Sequence, residues 1–93
     1  MMDVYAQIAE KIIAQQESII GPVAIEQAKQ VGGLKIDWPK HEISLSGDEA
    51  KVIDNLVEKY KELFGQISVE VCKEAAAKVA SQLTGDELPK SLQ

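Results

Sequence analysis

Apolar residues recur every three or four positions along most of this chain, but in one central stretch they alternate with polar ones. From residue 3 to 20 the apolar set is Val4, Tyr5, Ile8, Ala9, Ile12, Ile13, Ile19 and Ile20. At 100° per residue these positions cover about half the circumference of a helix, more than one partner helix needs. The first helix is therefore expected to touch two neighbours. Inside that arc Tyr5, Ile8, Ile12, Gln15 and Ile19 follow the spacing of a coiled-coil seam, with Gln15 as a polar interruption. So short a seam favours burial within the chain's own domain, with self-association as the second reading.

Gly21 and Pro22 stop this helix and start another, because glycine suits the left-handed residue after a helix and proline suits a first turn. The second helix is predicted over residues 22–31, with Ala24, Ile25, Ala28 and Val31 on one side and Gly32 and Gly33 at its end. Leu34 to Leu45 then alternates, which predicts two short strands broken at Pro39. Pairing Trp38 with His41 also pairs Ile36 with Ile43 and Leu34 with Leu45, so the four aliphatics share one face. Asp37 would then face Glu42. Pro39 also favours a type I turn, which fits a two-residue hairpin poorly, so a four-residue loop is the alternative.

Ser46 followed by Glu49 has the spacing of a capping box and predicts the start of a third helix. Val52, Ile53, Leu56, Val57, Tyr60, Leu63 and Phe64 form its apolar face, and Gly65 ends it. A fourth helix, capped by Ser68 and reaching about residue 83, carries Val69, Cys72, Ala76, Val79, Ala80 and Leu83 as its stripe. Residues 86–93 are polar and contain Pro89. They read as a frayed tail after a single domain over residues 1–85, unless Leu88 and Leu92 dock on a groove. The expected fold is a mostly helical α+β domain in the order α, α, β, β, α, α.

Composition narrows the function. The 93 residues include 15 acids and 10 bases, for a net charge of −5, and every base is Lys. That charge opposes approach to nucleic-acid phosphates and to anionic membrane surfaces, and the lack of Arg removes the usual bidentate phosphate ligand. The single cysteine cannot form an internal disulfide, and one Cys with one His falls short of a structural zinc site. Residues 1–21 resemble neither a signal peptide nor a membrane span, so a cytoplasmic location is expected. Gly32 and Gly33 lack the Lys and hydroxyl of a phosphate loop, and the paired acids lack calcium-loop spacing.

Candidate chemistry is sparse. His41 is the default acid–base residue, but no nucleophile stands at a motif spacing from it, so a surface position at the hairpin end explains it better. Cys72 lies mid-stripe and reads as a buried thiol. Trp38, at the hairpin tip, is either a lid on the core or a contact anchor. No cofactor or metal site and no enzymatic activity is expected. The leading expectation is a non-catalytic interaction or assembly module, a homodimer built through Tyr5, Ile8, Ile12, Ile19, Trp38 and His41, since a lone hairpin needs support. The alternative is a sensor or carrier with an apolar ligand pocket at Tyr60, Phe64 and Cys72, near Trp38.

Overall fold

The structure, a computed structural model, describes residues 2–93. Its elements are α1 (Val4–Ile20), α2 (Val23–Ala28), β1 (Leu34–Asp37), β2 (Glu42–Leu45), α3 (Glu49–Phe64) and α4 (Gln66–Ala80), with 3₁₀ turns at Trp38–Lys40 and Lys90–Leu92. The α, α, β, β, α, α order of the α+β expectation is present.

The first helix sits at the centre. Asp3 caps it, its carboxylate accepting the Ala6 N–H at 2.8 Å. Ile8, Ala9, Ile12 and Ile13 are wholly buried, and partners lie on several sides: α4 along its length, α2, α3 and β2 around it. The wide apolar arc has the consequence that its geometry demands. Against the seam reading, Ile8 and Ile12 are consumed by the chain's own core, and Gln15 is exposed while Gln16 is buried. Gln16 donates from Nε2 to the Ser68 carbonyl at 3.3 Å, tying α1 to α4.

The second helix is shorter than its apolar pattern. It ends at Ala28, and i to i+3 hydrogen bonds carry the chain through Gln30 and Val31. Tyr60 of α3 reaches across to it, donating its hydroxyl to the Ala24 carbonyl at 2.7 Å. Gly33, with φ of 84°, brings the chain against the start of α3. A Cβ there would stand 2.9 Å from the Ser46 carbonyl and 3.0 Å from Val52, so only glycine fits.

The hairpin register is the expected one: Leu34 opposite Leu45, Ile36 opposite Ile43, and Asp37 opposite Glu42. Its connection is the four-residue loop rather than the tight turn. Trp38, Pro39 and Lys40 make a 3₁₀ turn closed by the His41 N–H on the Trp38 carbonyl at 2.8 Å. Pro39 holds the right-handed backbone of that turn, and His41, at φ of 53°, then supplies the left-handed residue that redirects the chain.

Two helix starts differ from the sequence reading. Asp48, not Ser46, caps α3, accepting the Lys51 N–H. Asp is as good a cap as Ser, and here it stands one residue before the helical backbone. The fourth helix begins at Gln66, two residues before Ser68, because Gly65 alone turns the corner from α3 at φ of 83°. Ser68 is consequently buried in the first turn instead of capping it. The C-terminal segment is folded onto the domain rather than frayed. The Asp54 carboxylate accepts both the backbone N–H and the hydroxyl of Ser91, Leu92 packs on the core, and the Tyr5 hydroxyl donates to the Glu87 carbonyl. Among the described residues no helix is long and apolar enough to cross a membrane.

Candidate functional site

Two places on the surface concentrate chemistry, and they are built differently. The first is the hairpin tip, where the turn carries Trp38 and His41 back over α1. The two rings stack with centroids 3.9 Å apart at 22°. Trp38 donates its indole N–H to Glu17 at 3.1 Å, and His41 donates from Nδ1 to Glu10 at 2.9 Å. Glu10 and Glu17 are seven residues apart, two turns of one helix face, which is why a single loop reaches both. Trp38 is thus half-buried and fastened, and His41 stays exposed.

A carboxylate that orients an imidazole is half of a catalytic arrangement, and the other half is a nucleophile or an oxyanion pocket. Among the described residues no hydrogen bond joins His41 to a serine, threonine or cysteine, and no three His, Cys, Asp or Glu side chains gather as metal ligands. Here the pair anchors the loop. Its acid members, Glu10 and Glu17, escape motif reading because nothing in a helical pattern marks two surface glutamates as partners of a distant turn.

The second place is the end of the molecule where α1 and α3 stop and α4 starts. Ile67 is 72% exposed, Ile19 56%, Leu63 49% and Phe64 39%. Gly65 alone separates the last turn of α3, with Leu63 and Phe64, from the first turn of α4, with Ile67. The Gln16–Ser68 hydrogen bond sets the last turn of α1, and Ile19 with it, at the same end. Ile67 is the residue that sequence reading missed. It was absent from the stripe of the fourth helix, and that absence is the signal: an isoleucine on the polar side of a helix start. Leu63 and Phe64 fall on the apolar face of α3 by periodicity, yet α3 outruns the elements that cover it.

Comparison with known protein families, curated proteins and solved structures returns no match for this chain. The geometry therefore carries the functional reading alone.

Of the residues of the ligand-pocket expectation, two lie close together in the core and one at the surface. Tyr60 and Cys72 are fully buried, and Phe64 is on the exposed end. Burial pushes the Cys72 thiol up to about 11, with the Gln16 amide opposing that shift, so the sulfur is a neutral core atom in contact with a donor at 3.5 Å. Burial likewise raises the Tyr60 hydroxyl. A surface concavity of about 720 Å³ lies along the hairpin beside Met2, Asp3 and Ala6, and another of about 500 Å³ lies beside the C-terminal turn. Tyr60, Phe64, Cys72 and Trp38 line neither.

The N-termini of α1 and α3 also meet. The neighbouring Asp3 carboxyl, as a hydrogen-bond partner, and partial burial raise the pKa of Glu49, the first residue of α3. Tyr5 is raised by burial and then by the surrounding Glu87, Glu49, Asp48 and Asp3. This corner of the molecule is strongly acidic.

Proposed function

We propose that this chain is a non-catalytic assembly module of the cytoplasm that self-associates through the apolar end formed by Ile19, Leu63, Phe64 and Ile67. The observation that carries the reading is the exposure of those four large side chains at one end of a domain whose other large aliphatics are covered. Apolar side chains gathered in this way typically mark contact surfaces, whereas singly scattered ones need no explanation. Of the apolar residues in the first helix's seam, only Ile19 is exposed, so the contact shifts from the length of α1 to its last turn.

A surface this small supports a modest, concentration-dependent dimer rather than an obligate one, in which a large apolar face is buried. Light scattering across a dilution series tests it. Mass should rise toward twice the monomer with concentration in the parent chain and stay at one monomer in Ile67→Asp. A parent chain that is monomeric throughout, or an Ile67→Asp variant that associates equally well, overturns the proposal.

A further inference from the structure

The hairpin has a second feature that the apolar end does not use, which is the outer edge of β2. The Ser46 N–H bonds the Gly33 carbonyl at 2.9 Å, one step beyond the Leu34–Leu45 pair. Antiparallel ladders alternate bonded and non-bonded pairs, so the inward-bonded positions of β2 are Ser44 and Glu42. Ile43 and Leu45 accordingly aim their backbone N–H and carbonyl groups away from β1. Among the described residues the hydrogen bond recorded on that edge is from the Ile43 N–H to the Met2 thioether, at 3.3 Å. Sulfur is a weak acceptor, so a peptide carbonyl arriving there would take its place at little cost.

The strand's own residues add little to the cover that Met2 gives this edge. Strand edges are commonly blunted by proline or lysine, and Glu42, Ile43, Ser44 and Leu45 include neither. The 720 Å³ concavity extends over both strands, lined by Lys35, Ile36 and Asp37 of β1 as well as by β2, and it reaches Met2 and Ala6 as an apolar wall beside Ile43 and Leu45. Its charged rim consists of Asp3, Asp37 and Glu42 against Lys35 alone, and the acidic corner of Asp48, Glu49 and Glu87 around Tyr5 adds to it.

Charge selects the occupant. A second copy would bring one acidic rim up to another in a chain of net charge −5, and like charge disfavours that approach. An extended strand carrying Lys or Arg meets the rim with opposite sign, and electrostatic complementarity of this kind speeds encounter and rejects wrong partners. We propose that the outer edge of β2 is a docking site for an extended cationic peptide segment of another protein, which joins the hairpin as its third strand. The mode is β-augmentation: backbone hydrogen bonds at Ile43 and Leu45 hold the segment, apolar side chains of one parity enter beside Met2, and the basic side chains of the other parity face Asp37 and Glu42. A third strand also relieves the marginal stability of a two-stranded hairpin.

The test uses the full chain labelled with ¹⁵N and three synthetic probes: a capped peptide of alternating Lys and Val, its Glu and Val counterpart, and a Lys and Val peptide with alternate backbone nitrogens methylated. The first should shift the Ile43 and Leu45 amide signals saturably. Its affinity should fall about tenfold or more at about 1 M salt, where the screening length is about 3 Å. It should fall comparably in Glu42→Lys. The acidic peptide should leave those signals in place at the same concentrations, and the methylated one, with charge kept and strand bonding lost, should bind at least about tenfold more weakly, the size of one net hydrogen bond in free energy. Equal binding of the methylated and parent peptides overturns strand addition, equal binding of the acidic peptide overturns the charge argument, and absence of any saturable shift overturns the site. Broadening of the same amides with protein concentration alone would assign the edge to a second copy instead. Because the readout is at β2 and not at Ile67, its outcome is independent of self-association through the apolar end.

Discussion

The hairpin tip and the glycine-cornered end of the molecule make an instructive contrast. At the tip, side chains that the sequence leaves open between cover and surface are fastened one by one: Trp38 to Glu17, His41 to Glu10, one ring on the other. At the far end, side chains that look like core are left in solvent, because α3 runs past its partners and a single glycine turns the chain at once into α4. Hydrophobic periodicity reports which face of a helix is apolar. It does not report where along the helix the cover stops.

Substitutions can break that contrast, and the largest effect belongs to the centre that separates the two regions. Ile12→Ala removes a fully buried side chain from α1 and is expected to cost about 2–5 kcal/mol in urea denaturation, as cavity-forming core substitutions do. A cost below about 1 kcal/mol would mean that α1 is not the common core of both regions. Second comes alkaline pH. The Cys72 thiol is raised from 9.0 to about 11 by burial, so the folded chain holds that proton more tightly than the unfolded one. Its contribution is complete below pH 9 and is lost as pH rises from 9 to about 11. The loss is on the order of 2–3 kcal/mol, and Cys72→Ala should remove its onset near pH 9 when unfolding is followed against pH, leaving the loss from the buried Tyr60 hydroxyl that begins above pH 10.

At the tip itself, Glu17→Gln keeps a hydrogen-bond acceptor but removes its charge. Stability should fall by about 1 kcal/mol or less, and the emission of Trp38, the single indole of the chain, should change. An unchanged spectrum would detach the tip from α1 and erase the contrast. Smallest is the apolar end: Ile67→Asp should alter the stability of the monomer by no more than about 0.5 kcal/mol, since the residue is 72% exposed. A large destabilisation there would show Ile67 to be part of the core.

Much of the fold was legible in the pattern because local rules governed it. Alternation over residues 34–45 specified the register, since a slip by one residue would have put Ile36 and Ile43 on the wet face. The glycines at 21 and 65 marked real helix ends. What was not legible depended on partners distant in sequence. Ser46 and Ser68 carry good capping chemistry, but the corner at Gly65 and the reach of Asp48 decided where the helices begin. The tail looked free because its docking rests on Asp54 and Tyr5, 37 and 82 residues away. Of the residues expected at a contact surface, Ile8 and Ile12 lie in the core, Trp38 and His41 at the fastened tip, and Ile19 at the exposed end. Tyr5 is half-buried, its hydroxyl held by the Glu87 carbonyl.

The hydrogen bond from Gln16 to the Ser68 carbonyl also orders events in time. It closes a loop of 52 residues, whereas α3 and α4 are separated by one glycine and can meet almost as soon as they form. Loop closure carries an entropic cost that grows with the logarithm of length, so docking of α1 onto α4 is expected on the late side of the folding barrier. Damage to the α1 side of that seam should then hasten unfolding and leave the folding rate nearly unchanged, while damage at the α3–α4 corner should slow folding itself.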